Sequence, residues 1–312
     1  MNIRQILKYL LIIFVISLTA LAFYGLAKTG NYKSFNTSGK IQIVAGENFW
    51  GSLVSQIGGN KVNVTSVVSD PNADPHEYET NSIDARAFAN ADYVILNGAG
   101  YDSWGNRLLS GTPNNSRRVL IVSSLLNKKN GDNPHFWYNP TYVNQVVSKM
   151  ETDLIALRPS DKSYFQNQYK QLQISLRTYQ NQIAYIKQHF SGVKVATTED
   201  IFNYLANASD LNLVSPSAFT QAVAEGNDPP TSSVVQFREQ LMSGQVKLLV
   251  YNQQTVTPLT DSIKQLAAQQ QIPIVGITEI IQPTGTRFQD WMNKEVTAIR
   301  NALAAKGSLN AN

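Results

Sequence analysis

From Ser160 to Phe190 the chain contains neither glycine nor proline, and Leu172, Leu176, Tyr179, Ile183, Ile186 and Phe190 follow one another at spacings of four, three, four, three and four. That period puts all six on one face of a single α-helix. Pro159 stands at its start and Gly192 just past its end, the usual punctuation of a helix. At ~1.5 Å of rise per residue the helix reaches up to ~45 Å, well beyond the ~11 to 12 residues of an average helix. Such a length predicts a stiff spine joining two lobes rather than an ordinary amphipathic helix on one core.

On both sides of the spine, short β-branched runs alternate with longer stretches of helical character. The runs are residues 41–45, 62–68, 93–96 and 119–122 before it, and 193–197, 248–251 and 274–277 after it. This alternation is the pattern of α/β layers on parallel sheets. The expected fold is therefore α/β, with two parallel-sheet lobes at 40–158 and 192–308 joined by a bridging helix at 159–191. The 312 residues are enough for two such lobes.

Ahead of the first lobe, residues 9–27 carry no charge and are dominated by Leu, Ile, Phe, Val and Ala, between Lys8 and Lys28. A helix of that length approaches the ~30 Å of a bilayer's hydrocarbon. Arg4 and Lys8 keep its start on the cytoplasmic side, so everything after residue 28 is expected outside. The apolar run exceeds the ~7 to 15 residues usual in a secretory signal, which favours an uncleaved anchor, although Gly25-Leu26-Ala27 offers small residues for cleavage. Residues 1–28 are thus read as anchor or signal peptide, and 29–39, rich in Ser, Thr, Asn and Gly, as a tether.

Composition removes several function classes. With no cysteine, the chain has no disulfide, thiolate metal site or cysteine nucleophile. Its net charge of +4 resides in residues 1–39, where Arg4, Lys8, Lys28 and Lys33 face no acid; the remaining 22 basic residues meet 22 acidic ones. The folded part is neutral overall, so no nucleic-acid partner is expected. The chain has no Walker loop, dinucleotide fingerprint, HExxH or Gly-x-Ser-x-Gly elbow. Asn97-Gly98-Ala99-Gly100 lacks the spacing of a nucleotide loop and reads as a turn.

Four side chains stand out as candidates for chemistry. His76 and His135 each follow a proline in a turn after a strand, which fixes the approach of the chain and aims the imidazole. Glu199 and Glu279 follow strands directly, where open α/β sheets place binding groups. Each has a plain alternative: loop histidines are commonly capping or surface groups, and a glutamate at a helix start complements the dipole. The third histidine, His189, fits the plain reading, a polar residue near the end of the long helix.

Taken in order, the segments resemble the metal-binding solute-binding proteins of zinc- and manganese-type ABC importers. Asp74-Pro75-His76-Glu77-Tyr78-Glu79 is similar to the family's first-ligand motif, and Asn133-Pro134-His135-Phe136-Trp137-Tyr138 to its second. Thr198-Glu199-Asp200-Ile201-Phe202-Asn203-Tyr204 corresponds to the third-ligand segment, and Gly276-Ile277-Thr278-Glu279 to the fourth. Asn97 to Trp104, Glu225-Gly226 and Phe288-Gln289-Asp290-Trp291-Met292 match as well. The resemblance runs from about Ile41 to Leu303. It implies a divalent ion held between two lobes by His76, His135, Glu199 and Glu279, little lobe motion, and delivery to an ABC permease by a monomer that performs no catalysis.

The chain departs from that family at several points. Glu279 stands where aspartate is commoner, Asn133 and Asn139 where many relatives carry aspartate, and Asn252 where glutamate is frequent. The His-rich loop of many zinc importers and the lipid-bearing cysteine of many relatives are absent, the latter replaced in role by the apolar N-terminal segment. Two imidazoles and two carboxylates suit a divalent transition ion. A bidentate carboxylate raises the coordination number above zinc's four, which places Mn(II) ahead of Zn(II), with Fe(II) a further option. The competing expectation is an exported metallohydrolase, or another metal-dependent enzyme, using the same residues.

Overall fold

The computed structural model describes residues 39–70, 75 and 78–307. The apolar segment 9–27, the tether before residue 39 and His76 lie outside the described residues. Among the described residues no helix is long and apolar enough to cross a membrane.

Among the described residues, eight strands form two four-stranded sheets. The first comprises β1 (Ile41–Glu47), β2 (Val62–Val68), β3 (Tyr93–Leu96) and β4 (Arg118–Ile121), in the order β2-β1-β3-β4. The second comprises β5 (Lys194–Thr197), β6 (Asn212–Leu213), β7 (Leu249–Asn252) and β8 (Ile274–Ile277), in the equivalent order β6-β5-β7-β8. Every pairing is parallel. Near-continuous burial of β3 (all four residues) and of β1 (all but Gln42) explains why these strands read as apolar runs rather than alternations. Strand β6 was not anticipated from sequence. It holds only two register pairs, Lys194 with Asn212 and Val195 with Leu213, too few to leave a periodic signature.

Between the sheets runs the α-helix Lys162–Phe190, entered through a short 3-10 turn at Pro159–Asp161. Leu172, Leu176, Tyr179, Ile183 and Ile186 are buried along it, as the spacing predicts, and Phe190 is half-buried. Gly192 follows with φ 73°, a left-handed turn that a Cβ would strain. The buried face does more than anchor the helix. One apolar core passes from Val44, Ile95 and Trp50 of the first lobe, through Leu176 and Ile183, to Val250, Ile277 and Trp291 of the second. A separate cluster, including Phe219, Phe237, Leu249 and Ile263, also packs on the second sheet.

Polar contacts reinforce this continuity. Asn48 and Ile281 exchange two hydrogen bonds, of 3.3 and 3.0 Å, and the amides of Gln56 and Gln289 pair reciprocally at 3.1 and 2.8 Å. Asn133 Nδ2 donates to the carbonyl of Asp200 at 2.7 Å, and the Tyr204 hydroxyl donates to the carbonyl of Asn133 at 3.0 Å. Lobe opening therefore requires breaking a shared core and several part-buried hydrogen bonds, which disfavours large hinge motion.

Candidate metal centre

Among the described residues, Glu199 and Glu279 follow strands directly, and His135 lies in the loop after the short helix Val122–Leu125 that succeeds β4. His135 sits after β4, at the mouth of the short 3-10 turn Phe136–Tyr138, whose three aromatic residues are all buried. The ring of Trp137 stacks on Phe49 at 4.1 Å, fixing the turn against the helix Asn48–Gly58. Glu199 lies two residues beyond β5, and Glu279 two beyond β8. One donor atom from each of His135, Glu199 and Glu279 lies within 4.8 Å of the others, and all three residues are buried. An ion with ~2.0 to 2.2 Å bonds to nitrogen and oxygen closes that span with a small inward movement.

The imidazole is oriented for such a role. Nδ1 of His135 faces Asn133 Oδ1 at 2.8 Å and Asp200 Oδ1 at 3.2 Å, so the proton belongs on Nδ1. Nε2 is buried and has no hydrogen-bond partner among the described residues. A histidine with one nitrogen held by an oxygen and the other bare is arranged as metal ligands usually are. Burial works against a charged imidazole here, yet the carboxylates of Asp200, Glu279 and Glu199 outweigh it and hold His135 above its ordinary pKa.

The acidic half of the site is crowded. Burial, and then the negative charge of Glu279, push Glu199 up to about 8. Asn252, at the end of β7, donates from Nδ2 to Oε1 of both glutamates, at 2.6 Å to Glu199 and 2.7 Å to Glu279. The Tyr101 hydroxyl donates to Glu279 Oε2 at 2.7 Å. Two carboxylates buried side by side are costly without a positive charge between them, and a divalent cation supplies one.

The turn that delivers Tyr101 is built around Asp102. Its carboxylate accepts from the backbone N–H of Asn97 at 2.6 Å and of Gly98 at 2.8 Å. Gly98 has φ 75°, and a Cβ there would lie 2.2 Å from Ser123 Oγ, so glycine is required. Asn97-Gly98-Ala99-Gly100 is thus a turn, as expected, and Ala99 and Gly100 border a cavity of about 360 Å³ beside His135. Asp132, Asp200 and Glu225 also line it, giving the approach to His135 an acidic wall.

Residues on both sides of positions 76–77 are held by one side chain. Trp104 Nε1 donates to the carbonyl of Pro75 at 3.1 Å, and its ring lies 5.2 Å from that of Tyr78. His189 is exposed, stacked on Tyr185 at 3.9 Å with Nδ1 2.9 Å from the Tyr185 carbonyl, away from the cluster. The roles of Asp200 behind His135 and of Tyr101 on Glu279 were not read from the sequence.

A profile of the family described as zinc-uptake complex component A, periplasmic, matches residues 43–302. The chain belongs to this family. Among relatives, the metal ABC transporter substrate-binding lipoprotein FimA of Streptococcus parasanguinis is 23% identical over 227 residues, 66% of this chain and 70% of its own. The manganese ABC transporter substrate-binding lipoprotein PsaA of Streptococcus anginosus is 25% identical over 202 residues, 59% of this chain and 63% of its own. In structure, the Mn-bound periplasmic metal binding protein from Candidatus Liberibacter asiaticus aligns with a TM-score of 0.68 at 19% identity, covering 84% of this chain and 98% of that one. The zinc-uptake family member described here therefore shares its two-lobed α/β fold with that protein.

Proposed function

We propose that this protein captures a divalent transition-metal ion outside the cytoplasmic membrane and delivers it to the permease of an ABC importer. The ion is cargo, and His76, His135, Glu199 and Glu279 are its ligands. The observation that carries this reading is the convergence of His135, Glu199 and Glu279, all buried, on donor atoms within 4.8 Å of one another. The buried Nε2 of His135, which has no hydrogen-bond partner among the described residues, adds to it. Two neutral imidazoles and two carboxylates give a ligand charge of about −2, which balances a divalent cation.

Membership of the zinc-uptake family, and relatives named as substrate-binding lipoproteins, support the transport role. His76 completes the set as the histidine of the first motif, in a segment whose flanks Trp104 holds. Because the ligands come from both lobes, the filled site fixes the surface that the permease reads, which couples loading to recognition. The acidic cavity beside His135 concentrates cations at its approach. Residues 1–28 serve as anchor or signal peptide and 29–39 as tether, with lobes 40–158 and 192–308 on either side of 159–191. The protein acts as a monomer and performs no catalysis.

Isothermal titration of the protein with Mn(II) and Zn(II) tests the assignment. One ion binds per chain, and Glu199→Ala and His76→Ala each abolish most of the binding. Undiminished stoichiometric binding in both variants refutes it.

A further inference from the structure

Strand β8 ends at Ile277, and the four residues after it, Thr278 to Ile281, belong to no helix or strand. Each of their backbone N–H groups is nonetheless accepted by a side chain from another part of the chain. That of Thr278 donates to Glu295 Oε1 at 2.9 Å, those of Glu279 and Ile280 to Gln254 Oε1 at 2.6 and 3.0 Å, and that of Ile281 to Asn48 Oδ1 at 3.0 Å. The Thr278 hydroxyl closes around the same stretch. It accepts from Trp291 Nε1 at 2.9 Å and faces the Ile280 carbonyl and Glu295 Oε1, each at 3.1 Å. Glu279 thus stands on a loop whose donors are all satisfied in one arrangement.

Glu295 differs from the other two acceptors because it also reaches the turn of His135. It comes from the helix Phe288–Gly307, and its Oε2 lies 2.6 Å from the hydroxyl of Tyr138, three residues past His135. The same hydroxyl lies 2.7 Å from the carbonyl oxygen of Thr278. Glu295, Tyr138 and Thr278 are all buried. Both distances are those of full O–H···O hydrogen bonds, yet a phenol carries one proton. A carbonyl oxygen can only accept, so the Tyr138 proton serves Thr278, and the bond to Glu295 draws on a proton of the Glu295 carboxyl. Burial pushes Glu295 up to about 7, which keeps that proton available near neutral pH.

We propose that Glu295 is a positioning residue of the metal site: it fixes Thr278 against Tyr138, and so holds Glu279 of one lobe in register with His135 of the other. The inference rests on the metal-capture reading above and deepens it. Glu295 acts through Thr278, one residue before Glu279, and through Tyr138, three after His135. Metal bonds of ~2.0 to 2.2 Å tolerate little displacement of either segment. Glutamine in place of Glu295 reproduces the arrangement, with its Oε1 accepting the Thr278 N–H and its NH₂ donating to the Tyr138 oxygen. Alanine removes it and leaves both of those groups without their partner.

The test uses the full-length chain in detergent, as wild type and as Glu295→Ala, Glu295→Gln and Tyr138→Phe. Zn(II) affinity is read by chelator competition and the geometry of the site by the visible absorption of bound Co(II), both well below the melting temperature of each variant. Removing a group that orients a metal ligand costs ~10- to 100-fold in affinity, and Glu295→Ala is expected to fall in that range with a changed Co(II) spectrum. Glu295→Gln is expected to keep the wild-type affinity and spectrum. Glu295→Ala with a lowered melting temperature but unchanged affinity and spectrum overturns the proposal, because the residue then serves the fold alone. Glu295→Gln as impaired as Glu295→Ala overturns it too. If Glu295→Ala does not fold, Tyr138→Phe, which loses a single hydroxyl, decides on the same readings: weaker binding with a changed spectrum supports the proposal, and wild-type values overturn it. Wild type that binds neither Zn(II) nor Co(II) refutes the metal-capture reading itself, a result distinct from all of these.

Discussion

The hydroxyl of Tyr101, from a turn after β3, lies 2.7 Å from Oε2 of Glu279, which follows β8 in the other lobe. Both residues are buried, and the bond spans 178 positions of sequence. Tyr101→Phe removes the donor without changing the packing of the ring. Hydrogen bonds to charged groups contribute about 1.5 to 3 kcal/mol, so metal affinity is expected to fall roughly tenfold or somewhat more. Titration of the variant beside wild type checks this; equal affinity would show that Glu279 is oriented without Tyr101.

Metal binding is expected to depend on pH in a defined direction. Glu199 is raised to about 8 by burial and by Glu279, and the ion binds its ionised form. Below about pH 8, binding must expel the proton, so affinity rises with pH and levels off above that value. The slope is up to about tenfold per pH unit for a single proton, and His135, also held above its ordinary value, steepens it at lower pH. Chelator competition at pH 6, 7, 8 and 9 measures the profile. A flat profile between pH 6 and 8 contradicts the assignment of Glu199.

Glu47, at the end of β1, is fully buried, with the carboxyl group of Asp102 as its neighbour. Burial, and then the neighbouring Asp102, raise its pKa well above the ordinary 4.5. The folded state therefore holds a proton that the unfolded chain releases. The resulting stabilisation is full below about pH 4.5 and is lost as pH rises through the raised value. Glu47→Gln keeps the shape and removes the titration. Its melting temperature is expected to exceed that of wild type at pH 8, by the equivalent of roughly 1 kcal/mol, and to match it near pH 4. A lower melting temperature at pH 8 would mean that Glu47 is held charged.

Leu176 is fully buried at the middle of the bridging helix, inside the core that both lobes share. Leu176→Ala leaves a cavity there and costs about 2 to 5 kcal/mol. Because the core is continuous, calorimetry is expected to show one unfolding transition moved to lower temperature. Two separated transitions would show that the lobes are held together less firmly than the packing indicates.

The parts of this fold visible in the sequence were those with a period. The bridging helix announced itself through Leu172 to Phe190, and seven of the eight strands through β-branched runs. Boundaries moved slightly: β4 starts at Arg118 and yields Val122 to the next helical turn. Strand β6 left no trace because two residues carry no alternation. In the site, His135, Glu199 and Glu279 were marked by proline-bounded turns and strand ends, signals that are local. Their partners were not. Asp200 was visible only as part of a motif, and nothing local announces that it supports a histidine 65 positions earlier. Asn252 looked like the loss of a glutamate, and its amide acquires meaning only when β5, β7 and β8 bring Glu199 and Glu279 to either side of it. Glu47, two residues past the apolar run 41–45, carries no sequence signal that packing closes over it.

The central claim is that one divalent ion is held by His135, Glu199 and Glu279 together with His76. Anomalous diffraction at the zinc and manganese edges, from crystals of protein purified without added metal and then soaked in each ion, tests it most directly. The account predicts a single strong peak within bonding distance of His135 Nε2 and of one oxygen from each glutamate, with the His76 imidazole as the remaining protein ligand. A peak elsewhere, or density showing these side chains too far apart to share an ion, would contradict it.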